Sequence, residues 1–427
     1  MNQTRTWKSV VIWSIISAAF IGPGTVTTAV SAGSTFKLDL LWAVTFATVA
    51  CIVLQEVAAR ITIASGMNVG QTLTVKFGRR NGNFLKWLIG GSVIAGCAAY
   101  EAGNILGAVA GLNLLTGLNI ALLTIIVTVV SFVLLWRGSP GWISNLMMTL
   151  VAIMGISFLL VALTQDLGFF EVITASVIPV IPSNGGLLLL GLVGTTVVPY
   201  NIFLGSGISK GQTIPMMRVG LTISIVIGGL ITAFILIAGT AISDFSSFSS
   251  LYNDFEVKVG KGAAIGLALG LFAAGFSSAI TAPYASAIIS RTVFETKEEN
   301  KVRAVWFAVL MTGFFIGISG VRPIPVILIV QALNGLILPL LVIFLILVAN
   351  DSKLIPVEFR HGHLYNVLLL VVLGTVTLIS LNNVDKALIS AFDINHSGHL
   401  TIVLILASAI VLAVAGTIYS KKATAKP

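Results

Sequence analysis

Charge is what this chain has least of. Of 427 residues, only 9% are Asp, Glu, Lys or Arg, with 15 acids in all, while 57% are apolar and the mean hydropathy is +1.05. That leaves too little polar surface to cover a soluble protein of this length, so the chain reads as a polytopic membrane protein. Only two cysteines occur, Cys51 and Cys97, both inside apolar stretches, which excludes a disulfide framework and favours small buried hydrophobes. The four histidines, His361, His363, His396 and His399, fall in predicted loops, where they read as ordinary solvated side chains. A metal site needs three or four converging ligands, and no such set occurs in the sequence. There is no hydrolytic triad, phosphate-binding glycine loop or dinucleotide fingerprint, so neither an enzyme nor a cofactor is expected.

What is abundant is long apolar runs, each able to cross about 30 Å of hydrocarbon with about 20 helical residues. Twelve are expected, near 9–33, 40–65, 84–109, 118–136, 141–164, 185–207, 215–241, 260–290, 302–320, 323–349, 365–382 and 400–419. Backbone amides cannot stay unpaired in lipid, and no period-two alternation suggests a barrel, so the fold class is an all-α bundle. The polar start, Met1 to Lys8, leads directly into the first run without a small-residue cleavage site, so that helix is expected to be retained. With the N-terminus in the cytoplasm, 19 of the 24 basic residues fall on the inside, leaving Lys37, Lys258, Lys261, Arg322 and Lys386 outside. Both termini are therefore expected to be cytoplasmic, in a bacterial-type plasma membrane. The net charge of +9 follows from this topology and from contact with anionic lipid, and no nucleic-acid partner is needed to explain it.

Two of the runs are interrupted. Gly22-Pro23-Gly24-Thr25 breaks the first, and Val197-Val198-Pro199-Tyr200-Asn201 breaks the sixth, with Pro199 lying 176 residues after Pro23. One such interruption could be a simple proline kink. Paired breaks in corresponding positions point instead to the substrate site of a secondary transporter built from inverted repeats. On this reading residues 1–420 form one transporter domain. Residues 9–164 and 185–349 are its two five-helix repeats, 365–419 are two added helices, and 421–427 form a cytoplasmic tail.

The residues themselves resemble the Nramp metal-transporter family, which has the inverted-repeat (LeuT-like) fold of the leucine transporter. Leu54-Gln55 with Ala58-Ala59-Arg60 and Gly66, and Gly107 with Leu112-Asn113-Leu114-Leu115 and Gly117, carry the resemblance in spans two and three. Gly194 to Ser206 in span six follows a family pattern of Gly-Ala-Thr-Val-Met-Pro-His-Asn-Leu-Tyr-Leu-His-Ser. Ala274-Gly275-Phe276-Ser277-Ser278 in span eight and Gln331 with Leu338-Pro339 in span ten continue it. The departures fall on the family's metal ligands. Its first-span carboxylate and amide become Gly22 and Thr25, and its span-six alanine carbonyl position becomes Thr195. The thioether becomes Val198, the two histidines become Tyr200 and Gly205, and the span-ten glutamine becomes Ile337.

With soft and anionic ligands gone, the expected substrate is a small carboxylate-bearing or zwitterionic solute, held by the amides that open the helix after Gly24. The substrate-binding candidates are Gly22, Gly24, Thr25, Thr28, Thr195, Val198, Tyr200, Asn201 and Asn334, with Thr27 and Thr196 adding hydroxyls. For coupling, Glu101 matches a family aspartate that the resemblance implicates in proton transfer, and Asn104 stands at a family glutamate position. A carboxylate at membrane depth has its charged form disfavoured, which suits a proton carrier. Glu56 is a further candidate, although Arg60 one turn on makes an internal ion pair the plainer explanation. Sodium coupling through Ser277 and Ser278 stays open. One alternative is transport of a hydrated divalent cation of the magnesium or manganese type, as the family implies. Another, of a different class, is a non-transporting receptor or scaffold.

Overall fold

The computed structural model describes residues 3–137, 140–242, 245, 247–392 and 399–423. Within these, the side chains of 3–8, 78–83, 140–141, 143–144, 331–336, 386–392, 399–400 and 420–423 are not described. The chain forms α1 (Gln3–Phe20), α2 (Pro23–Phe36), α3 (Leu41–Ser65), α4 (Val69–Thr116), α5 (Ile120–Arg137), α6 (Pro140–Ala162), α7 (Phe169–Val177) and α8 (Gly186–Thr196). It continues with α9 (Pro199–Ile208), α10 (Ile214–Gly239), α11 (Phe248–Lys258), α12 (Lys261–Thr292), α13 (Glu299–Ile318), α14 (Pro323–Ala349), α15 (His363–Phe392) and α16 (His399–Ala423). There is no strand among the described residues.

Ten helical segments among the described residues are long and apolar enough to cross a membrane, and the bent pair α1–α2 makes eleven. The last of the expected runs to be matched, 323–349, is the 27-residue α14, so all twelve expected runs are helical. One boundary moves substantially. The third run is the central part of a 48-residue helix, because Asn68 and Gln71 form a reciprocal capping box that starts α4 well before Phe84, and Gly117 closes it in a left-handed conformation. The short helices α7 and α11, in the expected outer loops, are additional; α11 opens on a second such box, Ser247 with Ser250.

In lipid there is no hydrophobic gain from bringing two apolar helices together, so association rests on close packing through small residues. The longest contact, α12 against α4, shows it: a Cβ on Gly275 would lie 2.2 Å from the Ala108 amide nitrogen, and one on Gly111 would lie 2.4 Å from that of Phe272. Burial then sorts the helices, with 89% of the α8–α9 segment enclosed but only 22% of the α16 span and 28% of the α5 span. The interrupted segment is therefore central, while α5 and α16 turn most of their surface outward. His396 lies outside the described residues, as does the His399 side chain.

Candidate functional site: two facing helix breaks

Both breaks begin a helix in the same way. Proline takes the first helical position of α2 (Pro23) and of α9 (Pro199), where its missing N–H costs nothing and its fixed φ suits the helix. Gly22 caps α2 with extended backbone (φ −103°, ψ −174°), and the axis turns by 59° between α1 and α2. The helix therefore restarts at Pro23, ahead of Gly24. Val198 caps α9 and is buried, and the α8–α9 span passes through its interruption without a bend above 40°. Gly107 on α4 lets the chain approach: a Cβ there would meet the Pro23 ring at 2.2 Å.

The last α1 backbone bond runs from the Ile21 amide to the Ser17 carbonyl, so the carbonyls that follow have no helical partner. Side-chain hydroxyls fill that role one by one. Ser278 of α12 donates to the Ala18 carbonyl at 3.3 Å, the Tyr200 hydroxyl donates to that of Ala19 at 2.8 Å, and Thr25 donates to that of Phe20, while Ser277, 3.4 Å from the Ala18 carbonyl, has a nearer acceptor in Ala274 of its own helix at 3.1 Å. Thr25 Oγ1 also lies 2.7 Å from Thr195 Oγ1; its own proton being committed to Phe20, Thr195 is the donor. On the other broken span, Tyr100 donates to the Gly194 carbonyl at 3.2 Å, and its ring meets that of Tyr200 edge-on at 5.5 Å. A Cβ on Gly22 would lie 2.7 Å from Ser278 Oγ and 3.5 Å from Asn104 Oδ1, so those groups crowd the first break.

The structure thus brings Gly22, Thr25, Thr195, Tyr200, Asn104 and Ser278 together, all of them buried side chains or backbone. Gly24 and Thr28 sit on the buried first turns of α2, where the hydroxyls of Thr27 and Thr28 have no partner among the described residues. Thr196, the last residue of α8, spends its hydroxyl on the Leu192 carbonyl at 3.0 Å. The Asn334 side chain lies outside the described residues. Asn104 Nδ2 donates to Glu101 Oε2 at 3.2 Å; Glu101 is fully buried, and its Oε1 has no partner among the described residues.

Two sequence expectations need correcting on physical grounds. A carboxylate cradle was inferred from the amide end of α2 alone, but the break also presents the carbonyl end of α1, whose dipole is negative and favours a cation. Carbonyl and hydroxyl oxygens, rather than free amides, make up the hydrogen-bonded contacts between the breaks. The second correction concerns His361, expected to be a solvated loop residue. It is 8% exposed, and Nε2 lies 2.9 Å from Glu56 Oε2, so Nε2 carries the proton toward the carboxylate. Burial holds the imidazole below its ordinary pKa, against the opposing pull of Glu56. His363 is exposed as expected, although it opens α15 rather than lying in a loop.

Glu56 keeps different company from Glu101. Arg60 donates to Glu56 Oε1 through Nε at 3.1 Å and through Nη2; Arg218 Nε of α10 reaches the same oxygen at 3.0 Å, and the Tyr365 hydroxyl reaches Oε2 at 3.1 Å. The ion pair with Arg60 is present as expected, and α10 and the start of α15 are tied to it. None of these bonds reaches a break residue.

Among the described residues no group of three or more His, Cys, Asp or Glu is placed to hold a metal ion, and Cys51 and Cys97 are buried and free. Sequence reasoning missed the Ala18–Phe20 carbonyls, which carry no side-chain signal, and Tyr100, whose position only the fold supplies.

A family model described as natural resistance-associated macrophage protein-like, or Nramp, matches residues 14–386. Curated relatives include a divalent metal cation transporter, MntH, of Verminephrobacter eiseniae, 27% identical over 346 residues that cover 76% of this chain and 77% of that protein. An MntH of Caldanaerobacter subterraneus is 23% identical over 385 residues, covering 86% and 90%. Among solved structures, a variant of the Eremococcus coleocola manganese transporter superposes with a TM-score of 0.74 at 19% identity, covering 97% of this chain and 94% of that one. Mhp1, a nucleobase-cation-symport-1 family transporter in a closed conformation, superposes with a TM-score of 0.56 at 16% identity, covering 96% and 93%.

Proposed function

The chain belongs to the Nramp family, and from that premise we propose that it is a proton-coupled secondary transporter of a divalent metal cation, carried with water still attached. This replaces the organic-solute reading and adopts the cation alternative. Relatives named as divalent metal cation transporters support it at family level. The observation that carries it at the site is the run of three consecutive α1 carbonyls, Ala18 to Phe20, met in turn by the hydroxyls of Ser278, Tyr200 and Thr25.

Such hydroxyl–carbonyl pairs can turn their oxygens toward a cation, and magnesium in particular takes oxygen ligands and gives up its waters reluctantly. Retained water also offsets the cost of moving a dication into a low-dielectric interior that offers no carboxylate at the break. Val198 in place of a thioether removes the preference for soft transition metals, so magnesium and manganese are favoured over copper or zinc. Glu101, buried beside Asn104 and next to the first break, is the proton carrier. Gly22, Gly24, Thr25, Thr28, Thr195, Val198, Tyr200 and Asn201 line the cargo path, the two repeats rock about it, and both termini face the cytoplasm.

The test is uptake into vesicles holding the purified chain. Saturable entry of magnesium or manganese, accelerated by an inward proton gradient, is expected. Uptake of labelled carboxylates without either metal restores the organic-solute reading, and uptake of nothing from a panel of metals, carboxylates and amino acids favours a receptor.

A further inference from the structure

Gln55 of α3 stands outside the two breaks, and nothing above gives it work. Its side chain is 1% exposed, yet neither Oε1 nor Nε2 has a hydrogen-bond partner among the described residues. Asn201 of α9 is fully buried in the same condition, with Oδ1 and Nδ2 both unpartnered. A buried amide left without partners is costly, and one explanation is a ligand that arrives from elsewhere.

The two amides are neighbours through Gly205. That residue lies one helical turn beyond Asn201, on the same face of α9. A Cβ built on Gly205 would fall 2.1 Å from Gln55 Oε1 and 3.3 Å from Trp13 Cζ3. The Gln55 carboxamide thus occupies the space that any side chain at 205 would need, and it ends one turn from Asn201.

We propose that Gln55 and Asn201 form a carboxamide station that holds the cargo cation through its bound water. The inference rests on the cation reading above and deepens it. Two neutral oxygens are far too few to replace the six ligands of a stripped magnesium ion. They suit a hydrated one, whose polarised waters donate strongly to carbonyl oxygens, and Oε1 and Oδ1 both lack a donor. The station therefore selects for hydration state: an ion that keeps its water is recognised, and a bare ion gains little. Gly205 is part of the device, since any side chain there displaces Gln55.

The experiment is thermal unfolding of the full chain in lipid nanodiscs, titrated with magnesium chloride and separately with hexaamminecobalt(III), an inert complex whose six ligands mimic a hydrated ion. A ligand that binds only the folded chain raises the unfolding temperature by mass action. The wild-type chain should respond to both. Gln55→Leu keeps the volume and removes the amide, so its unliganded unfolding temperature should be unchanged or higher, while half-saturation by both probes shifts at least tenfold upward. Gly205→Ala, which pushes the carboxamide aside, should weaken both responses in the same direction. Wild-type half-saturation retained in Gln55→Leu overturns the station and leaves the cation reading standing, and so does a wild-type response to magnesium without one to hexaamminecobalt(III). No response of the wild-type chain to either probe, nor to manganese, overturns both.

Discussion

Replacing Glu56 by Gln removes one negative charge and little else, which makes it a sharp test of what holds the end of α3 to its neighbours. Two guanidinium groups depend on that carboxylate, and they differ in their access to water. The Arg218 side chain is 52% exposed, so its share is that of a surface pair, about 0–1 kcal/mol. The Arg60 side chain is 9% exposed and Glu56 6%, so Arg60 would be left as an uncompensated buried cation, a loss of about 3–5 kcal/mol. The Gln amide could still accept one hydrogen bond from His361 or Tyr365, but its NH2 would oppose the guanidinium. The expected total is therefore close to the Arg60 figure, read as reversible unfolding in mixed micelles. Arg60→Met in the Glu56→Gln background should recover at least about 1 kcal/mol, because the stranded charge is gone and coupled neighbours are not additive. A Glu56→Gln chain within about 1 kcal/mol of wild type, or a double variant equal to the sum of the singles, would refute the reasoning.

Three further outcomes are expected. Gly107→Ala would set a methyl 2.2 Å from the Pro23 ring, which cannot rotate away, so the first break must shift; overpacking of that kind costs about 1–3 kcal/mol, and a variant as stable as wild type would show that α4 yields freely. His361 has its folded pKa held below the ordinary value, so the unfolded chain takes up the proton first and stability falls as pH drops through about 6.5; His361→Gln should flatten that segment of a stability-against-pH curve and leave the neutral range unaltered. Glu101→Gln should leave cation exchange across vesicles intact while removing its acceleration by a proton gradient, and an unchanged gradient response would assign coupling to another group.

The breaks were legible because proline and glycine are costly inside a lipid-embedded helix, so Pro23 and Pro199 mark them in one dimension. The lack of charge at Gly22, Thr25, Val198 and Gly205 was legible too, since the resemblance puts the family's ligands at those positions. The chemistry facing the gap was not. Backbone carbonyls 18–20 are identical in every sequence, and only the 59° turn and the arrival of Ser278, Tyr200 and Thr25 from three other helices reveal that they point into it. His361 was misread for a related reason: its partner Glu56 lies 305 positions away.

Sequence alone therefore determined that the chain is a multi-pass helical membrane protein, which runs are helical, and where two of them are interrupted, because solvent choice and backbone pairing act locally on each apolar run. Tertiary structure alone decided which helix ends meet across the gap and which buried amides stay unpartnered. Those depend on packing between segments distant in the chain, where a glycine such as Gly205 matters for what enters the space it leaves.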